Sequence, residues 1–521
     1  MPDPLMPAQR PNIIFVFSDQ HSDKATPWGA HPTRVRAPHL ARLAEEGTRF
    51  SNAFCQSPRC TPSRVSFLSG QYCLNHGYHG LGGNADSFSA PTLFSLMKKA
   101  GYRTGVFGKD HTPTGFFKTD LDQRLVADPR DPDGRPYEDY LRAKGLLQQR
   151  DDIDFAEWKA TGRKGASLDA RPSRLTFEDQ VETWATDRAI DFINTSGDTP
   201  FCLWLSFQRP HQSYTPPQTF WDLYSKDDIV LPPNSNDSLD GKAPSQKQLR
   251  EQQQAGHFSI FEPSDWESMR RRMLHGYMGC VSLVDACLGR LMDQLDRSGL
   301  RENTVLVYAS DHGDFAGEHG LFEKQPGISY NAILKVPFLW SWPGHIREGV
   351  VVEELTESVD LLPTLLDLAG LPSCDSCDGV SLQPWLRGSQ RTQLREFAVT
   401  ENNISRTIQN REEKLTVWPA GFFGEDTPAF LEFYDLVNDP WEEVNRAGDP
   451  AFSRRVNALR LALYDWVTWH WRPRTKPGPA VAPGHPGNDS KGNPLGPDGR
   501  INPVYLRRFL AASQSRFSPN L

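Results

Sequence analysis

Apolar positions in this chain gather into short unbroken runs that stop at polar residues able to do chemistry. Asn12-Ile13-Ile14-Phe15-Val16-Phe17 is one such run, rich in β-formers, as a strand buried on both faces of a parallel sheet has to be. It stops at Ser18-Asp19-Gln20. Thr304 to Ala309 has the same form and stops at Ser310-Asp311-His312-Gly313. Phe201 to Phe207 is a third run, followed by Gln208-Arg209-Pro210-His211, and Val336 to Trp342 is a fourth. Helical spacing lies between them, most clearly at Val284, Cys287, Leu288, Leu291, Met292 and Leu295, which recur as one face of a helix. Alternating strands and helices predict a mostly parallel, doubly wound α/β sheet flanked by helices. Ligands of such sheets bind beyond the carboxyl ends of the strands, so the acid and imidazole groups at those ends are the first candidates for chemistry.

Two stretches break the pattern. Residues 119–174 are polar, charged and short of strand candidates, and read as an inserted cap or loop region suited to substrate selection. From about residue 385 the runs shorten, as in Lys414 to Trp418 and Phe430 to Leu436, before a helical pattern from Ser453 to about Trp469. The expected organisation is a catalytic α/β domain over residues 1–384, a smaller α+β C-terminal subdomain over 385–474 and a Pro/Gly-rich tail over 475–521. The tail is too rich in Pro, Gly and Asn through residue 503 to hold a core. Val504 to Leu510 regains apolar and aromatic side chains, the mark of a segment that docks, on its own domain or on a second copy in a homo-oligomer.

At 521 residues the chain suits one large domain plus a smaller one, and its 38% hydrophobic and 23% charged content is ordinary globular usage. Lys and Arg total 57 against 65 Asp and Glu, a formal charge of -8 without a basic run, which speaks against nucleic acid as a partner. Met1 to Arg10 is Pro-rich with no apolar secretory core, and no stretch reaches the roughly 20 apolar residues of a membrane helix. The expectation is a soluble cytoplasmic protein with no membrane partner. Eight cysteines are too few for a disulfide scaffold. Cys374-Asp375-Ser376-Cys377 has CxxC spacing, but without a second pair it reads as a loop with two free thiols.

The sharpest feature is Cys60-Thr61-Pro62-Ser63-Arg64, continued by Val65-Ser66-Phe67-Leu68-Ser69-Gly70-Gln71-Tyr72. This text resembles the Cys-x-Pro-Ser-Arg signature of the formylglycine-dependent (type I) sulfatases of the alkaline phosphatase superfamily, near the arylsulfatase, choline sulfatase and phosphonate monoester hydrolase branch. The resemblance implies that Cys60 is oxidised to formylglycine by a formylglycine-generating or equivalent maturation enzyme. It further implies that the hydrated aldehyde is the nucleophile and that Arg64 holds its geminal oxygens. A thiolate of the tyrosine-phosphatase kind fits less well, because that chemistry uses a longer loop whose backbone N–H groups surround the oxyanion. Here only Thr61, Pro62 and Ser63 intervene, and Pro62 has no N–H to give.

The resemblance runs from Asn12 to about Trp471, including Glu432-Phe433-Tyr434-Asp435-Leu436-Val437-Asn438-Asp439-Pro440, and implies an alkaline-phosphatase-like fold. It implies one divalent metal ion (Ca2+, Mn2+ or Mg2+) held at the positions of Asp19, Gln20, Asp311 and His312 together with the group made from Cys60; such ligands suit a hard cation. Gln20 stands where many sulfatases have a second Asp, which leaves open whether it meets the metal or the substrate. Gly108-Lys109-Asp110-His111 resembles the family's Gly-Lys-x-His, Pro210-His211 its Pro-His, and Lys324 the lysine that closes the Asp-His-Gly segment. By that likeness Lys109, His111, His211 and Lys324 contact the sulfate and the leaving oxygen. Glu318 and His319 read as braces of the metal loop, and Asn84 as a further candidate substrate contact.

The implied reaction is attack of the hydrated formylglycine on the sulfur of a small-molecule sulfate monoester (aryl, alkyl or sugar sulfate). His211 or His111 then protonates the leaving oxygen, and sulfate departs from the geminal diol. One alternative is a phosphonate monoester or phosphodiester hydrolase of the same superfamily, which Lys109 and His111 disfavour. The other is a non-catalytic binding protein in which Cys60 stays a thiol.

Overall fold

The computed structural model describes residues 10–471 apart from 84, 86–87, 118, 128–134, 154–169, 256–264, 390–392 and 425. Asn84 and the tail from residue 475, with its Val504 to Leu510 segment, lie outside the described residues.

Eight strands, β1 (Asn12–Asp19), β2 (Thr48–Phe54), β3 (Arg103–Gly108), β4 (Gln123–Val126), β5 (Phe201–Pro210), β6 (Thr304–Ser310), β7 (Phe338–Ser341) and β8 (Val350–Glu357), form one sheet in the order β4-β3-β5-β1-β6-β7-β2-β8. Helices α1 (Cys60–Ser69), α2 (Val181–Asn194), α3 (Trp266–Arg297) and α4 (Leu361–Leu368) belong to this body. Every residue of β1 is buried, and its side chains alternate between two cores. Ile13, Phe15 and Phe17 pack with Val65 and Phe67 of α1 and Leu362 of α4. Ile14 and Val16 pack with Ala185 of α2 and Val284 and Leu288 of α3. A strand covered on both faces needs apolar residues at every position, which is why its text reads as an unbroken run.

The expected parallel α/β sheet is present, with two departures. The Val336 to Trp342 run yields only β7, and β7 lies antiparallel to both β6 and β2. Residues 119–174, expected as a cap or loop, supply the edge strand β4, parallel to β3, and the helices Pro136–Ala143 and Leu147–Ile153. Only Val126 of β4 is buried, so this strand is held by its ladder and leaves no apolar run to read.

Beyond the body, β9 (Ala398–Asn402), β10 (Ser405–Gln409), β11 (Glu413–Trp418) and β12 (Phe430–Asp435) form an antiparallel sheet in the order β12-β11-β10-β9. Helix α5 (Ser453–His470) covers it through Val456, Leu459 and Leu463 against Val399, Ile408, Leu415 and Phe433. This small sheet is joined to the segment leading into α1: Glu401 N–H donates to Gln56 O at 2.7 Å and Thr400 Oγ1 donates to Cys55 O at 2.8 Å. Among the described residues, no helix is long and apolar enough to cross a membrane.

Candidate active site

Strand register assembles the site. Ser18 of β1 lies opposite Ser310 of β6, so Asp19 and Asp311 emerge side by side at the carboxyl edge. On the other flank, β1 shifts register against β5 between Ser18 and Asp19, pairing Asp19 with Pro210 and delivering His211 to the same place. Helix α1 begins at Cys60, and Ser63 Oγ donates to Asp311 O at 2.6 Å, fixing the helix start on the β6 end.

Arg64 lies fully buried beneath this edge, between the two carboxylates. Its NH2 group is 2.9 Å from Asp19 Oδ2 and its Nε is 3.0 Å from Asp311 Oδ2. NH1 donates to Lys109 O (2.7 Å), Ser206 Oγ (2.9 Å) and Asp110 O (3.3 Å). Every guanidinium nitrogen of Arg64 is engaged by the chain, and two of them bridge Asp19 and Asp311. A planar fork of donors suits that bridging task, and burial makes the pairing costly to break.

The remaining oxygens face the sulfur of Cys60, which stands where an oxygen on the same Cβ would sit after oxidation. That sulfur is 3.4 Å from His312 Nε2 and 3.8 Å from Asp19 Oδ1. His312 Nδ1 lies 2.9 Å from Gly313 O and so carries the proton, leaving the Nε2 lone pair directed into the site. Burial and Lys324 outweigh Asp311 and Asp19 to lower His312, which keeps the imidazole neutral. Asp19, Cys60, Asp311 and His312 present ligand atoms all within 4.8 Å of one another. Two carboxylates and a neutral imidazole, with the imidazole oriented by a backbone carbonyl, are a donor set that fits a divalent cation.

Burial and Asp19 push the Cys60 thiol up to about 11, against the pull of Lys324 and Lys109. Thiolate catalysis needs the opposite shift. Asp19 is raised by burial, but Lys109, His211, Arg64 and His312 outweigh that and hold its carboxyl well below the usual range. Lys109 Nζ approaches Asp19 Oδ2 to 2.6 Å.

A basic group completes the opposite wall. Lys324 Nζ donates to Gln20 Oε1 at 2.7 Å and sits 3.0 Å from His211 Nε2. His211 Nδ1 lies 2.7 Å from Gln212 O, so its proton is on Nδ1 and Nε2 accepts from Lys324. Burial, Lys324 and Lys109 lower His211 well below its ordinary value. In this arrangement His211 Nε2 faces Lys324. Burial lowers Lys324, but Cys60, Glu323, Asp19 and Asp311 more than offset it, so this group carries the proton. His111, half-buried, is held beside α1 by its carbonyl, which accepts from Thr61 Oγ1 at 3.0 Å.

Gln20 does not join the four converging ligands with a free oxygen. Its Oε1 is taken by Lys324, and its Nε2 donates to Asp314 Oδ2 (2.5 Å) and Gln212 Oε1 (2.8 Å). Glu318 pairs with Lys24 at 2.7 Å, and His319 Nδ1 meets Asp237 Oδ2 at 2.7 Å while its ring stacks on Tyr330 at 3.6 Å. Sequence reasoning missed Ser206, Gln212 and Asp314; only Asp314 carried a signal, as the acid that closes Ser310-Asp311-His312-Gly313-Asp314.

The sulfatase family model matches residues 11–371, and that of the N-sulphoglucosamine sulphohydrolase C-terminal region matches residues 317–467. The chain is 30% identical over 474 residues to a choline-sulfatase of Rhizobium meliloti, covering 89% of this chain and 88% of that protein. It is 27% identical to an arylsulfatase of Clostridium perfringens, with 87% and 94% covered. A solved phosphonate monoester hydrolase from Silicibacter pomeroyi shares the fold with a TM-score of 0.75 at 22% identity, over 88% of this chain and 96% of that one. With Cys60, the paired carboxylates and a basic wall gathered at one sheet edge, the chain belongs to the sulfatase family.

Proposed function

We propose that this sulfuric ester hydrolase acts on a small sulfate monoester through formylglycine formed at Cys60 by a maturation enzyme. The observation that carries the proposal is Cys60 itself. It is buried at the start of α1, 3.4 Å from His312 Nε2, in surroundings that push its thiol up to about 11. A thiol held protonated is a poor nucleophile, whereas a hydrated aldehyde on the same carbon supplies one hydroxyl to attack sulfur and a second to expel sulfate. Asp19, Asp311 and His312 would hold a divalent cation, with Gln20 at its margin, and the cation would supply charge neutralisation for the sulfate and the attacking oxygen.

The chain's own groups perform the rest. Arg64 sets the spacing of Asp19 and Asp311. Lys109 and Lys324 stabilise the negative charge that moves toward the leaving oxygen. Lys324 supplies the proton for that oxygen, with His211 accepting its second N–H bond and fixing its direction. His111 stands beside α1 as a further contact for the departing alcohol. The likeness to a choline-sulfatase and an arylsulfatase favours small alkyl or aryl sulfates over phosphonate monoesters.

Mass spectrometry of the Cys60 peptide from the native host should find it lighter than the cysteine form; an intact thiol sinks the mechanism. Cys60→Ala and Asp311→Ala should each lower aryl sulfate turnover by a factor on the order of 10³ or more while leaving the circular dichroism spectrum unchanged. Phosphonate monoester turnover exceeding that of every sulfate ester in a panel would reverse the substrate assignment.

A further inference from the structure

We infer that Cys374 and Cys377 form a thiol–disulfide exchange site, apart from the active site, that reacts with low-molecular-weight disulfides of the glutathione type. The segment Cys374-Asp375-Ser376-Cys377 is a turn closed by the Cys377 N–H donating to Cys374 O at 3.0 Å. It holds both cysteines on one turn and sets the Ser376 hydroxyl 3.2 Å from the Cys374 sulfur. These two cysteines are partly exposed, whereas the other six are buried. Bonds from the Cys377 thiol, the Ser376 hydroxyl and the Ser376 and Cys377 N–H groups outweigh burial and pull the Cys374 thiol down to about 5. Burial instead pushes Cys55 and Cys73 well above their ordinary value. Attack on a disulfide requires a thiolate with access, and Cys374 combines both.

The turn is fixed before reaction. Asp378 N–H donates to Gly70 O at 2.7 Å, Gln71 Nε2 to Ser376 O at 3.0 Å, and Tyr72 N–H to Asp378 Oδ2 at 2.8 Å. Gly70 closes α1 in the left-handed region (φ 66), and a Cβ there would come within 2.8 Å of the Cys377 sulfur, so that sulfur rests against the helix end. Cys60 lies at the other end of the same helix, about 15 Å away by helical rise.

The Cys374 thiolate attacks one sulfur of glutathione disulfide, forming a mixed disulfide and releasing one glutathione thiolate. Cys377, giving up its proton to solvent, then attacks the Cys374 sulfur and releases the second. The protein loses two electrons and two protons, and the glutathione disulfide is reduced to two thiols.

The test incubates the folded full-length protein with glutathione disulfide, alkylates the free thiols and weighs the peptide containing both cysteines. That peptide should lose two hydrogens and escape alkylation. Cys377→Ser should trap one glutathione on Cys374, and Cys374→Ser should react at least about tenfold more slowly. A wild-type peptide that stays reduced, or a Cys374→Ser protein that reacts as fast as Cys377→Ser, overturns the inference. Because no step involves Cys60, the Cys60→Ala protein should give the wild-type result, which keeps this test separate from that of the sulfatase mechanism.

Discussion

Gln20 has a left-handed backbone (φ 73) and a side-chain amide occupied at both ends. What orients that amide is Asp314, whose carboxyl also accepts from Tyr214 OH (2.7 Å), Ala316 N–H (2.7 Å) and Glu323 N–H (3.0 Å). A carboxylate only accepts, so the Gln20 NH2 group has to face it and the oxygen has to face Lys324. Asp314→Asn offers a donor as well and removes that constraint. Sulfate ester turnover should fall roughly 10- to 100-fold, the usual cost of losing a group that orients a metal-site or catalytic side chain. Unchanged kcat/KM in a variant of unchanged Tm would show that the Gln20 orientation does not matter. Asp314 directly follows Gly313, but its partners lie 294 and 100 residues away in Gln20 and Tyr214, beyond any local reading.

The hairpin of β9 and β10 reaches from the small sheet to the segment that follows Lys324. Asn402, fully buried at the end of β9, donates from Nδ2 to Ile328 O at 2.6 Å and to Ser329 Oγ at 3.2 Å. Gly327, between them and Lys324, adopts the left-handed region (φ 82), and a Cβ there would press on Ile404 at 3.2 Å. The small sheet thus contacts the segment that follows Lys324. Asn402→Ala leaves a buried carbonyl unpaired and should cost about 1–3 kcal/mol of stability. It should also lower kcat with little change in metal affinity, since Asp19, Asp311 and His312 are held from the large sheet. A destabilised variant with full kcat per folded molecule would separate the two sheets functionally. The elements themselves were legible: β1, β5, β6 and α5 fall within a few residues of their expected places, because continuous apolar runs and helical spacing are local signals.

For the molecule as a whole, a buried histidine contributes to the response to acid. His31 accepts the Thr33 N–H on Nδ1 at 3.1 Å and directs Nε2 to Ala316 O at 3.2 Å, so it is satisfied only when neutral. Burial, with Lys24 adding to it, lowers it to about 4. The unfolded chain therefore takes up this proton first: its contribution is fully present above pH 6.5 and is lost as pH falls toward 4, up to about 3 kcal/mol. His31→Gln retains a donor for Ala316 O without a site to protonate. Urea unfolding at about pH 7 and about pH 5 should show that variant losing less stability on acidification than wild type, by about 2 kcal/mol; equal losses would remove His31 from the account. The chain's own text determined the α/β class, the carboxyl-edge acids Asp19 and Asp311, the imidazole of His312 and the Cys60 motif, because each is written in contiguous residues whose periodicity and chemistry are local. Only the tertiary structure decided that β7 runs antiparallel, that β4 joins the sheet, that Arg64 lies between Asp19 and Asp311 and that Lys324 meets both Gln20 and His211. Those outcomes depend on partners far apart in the chain, and on burial that strips away water and lets neighbouring charges set each group's state.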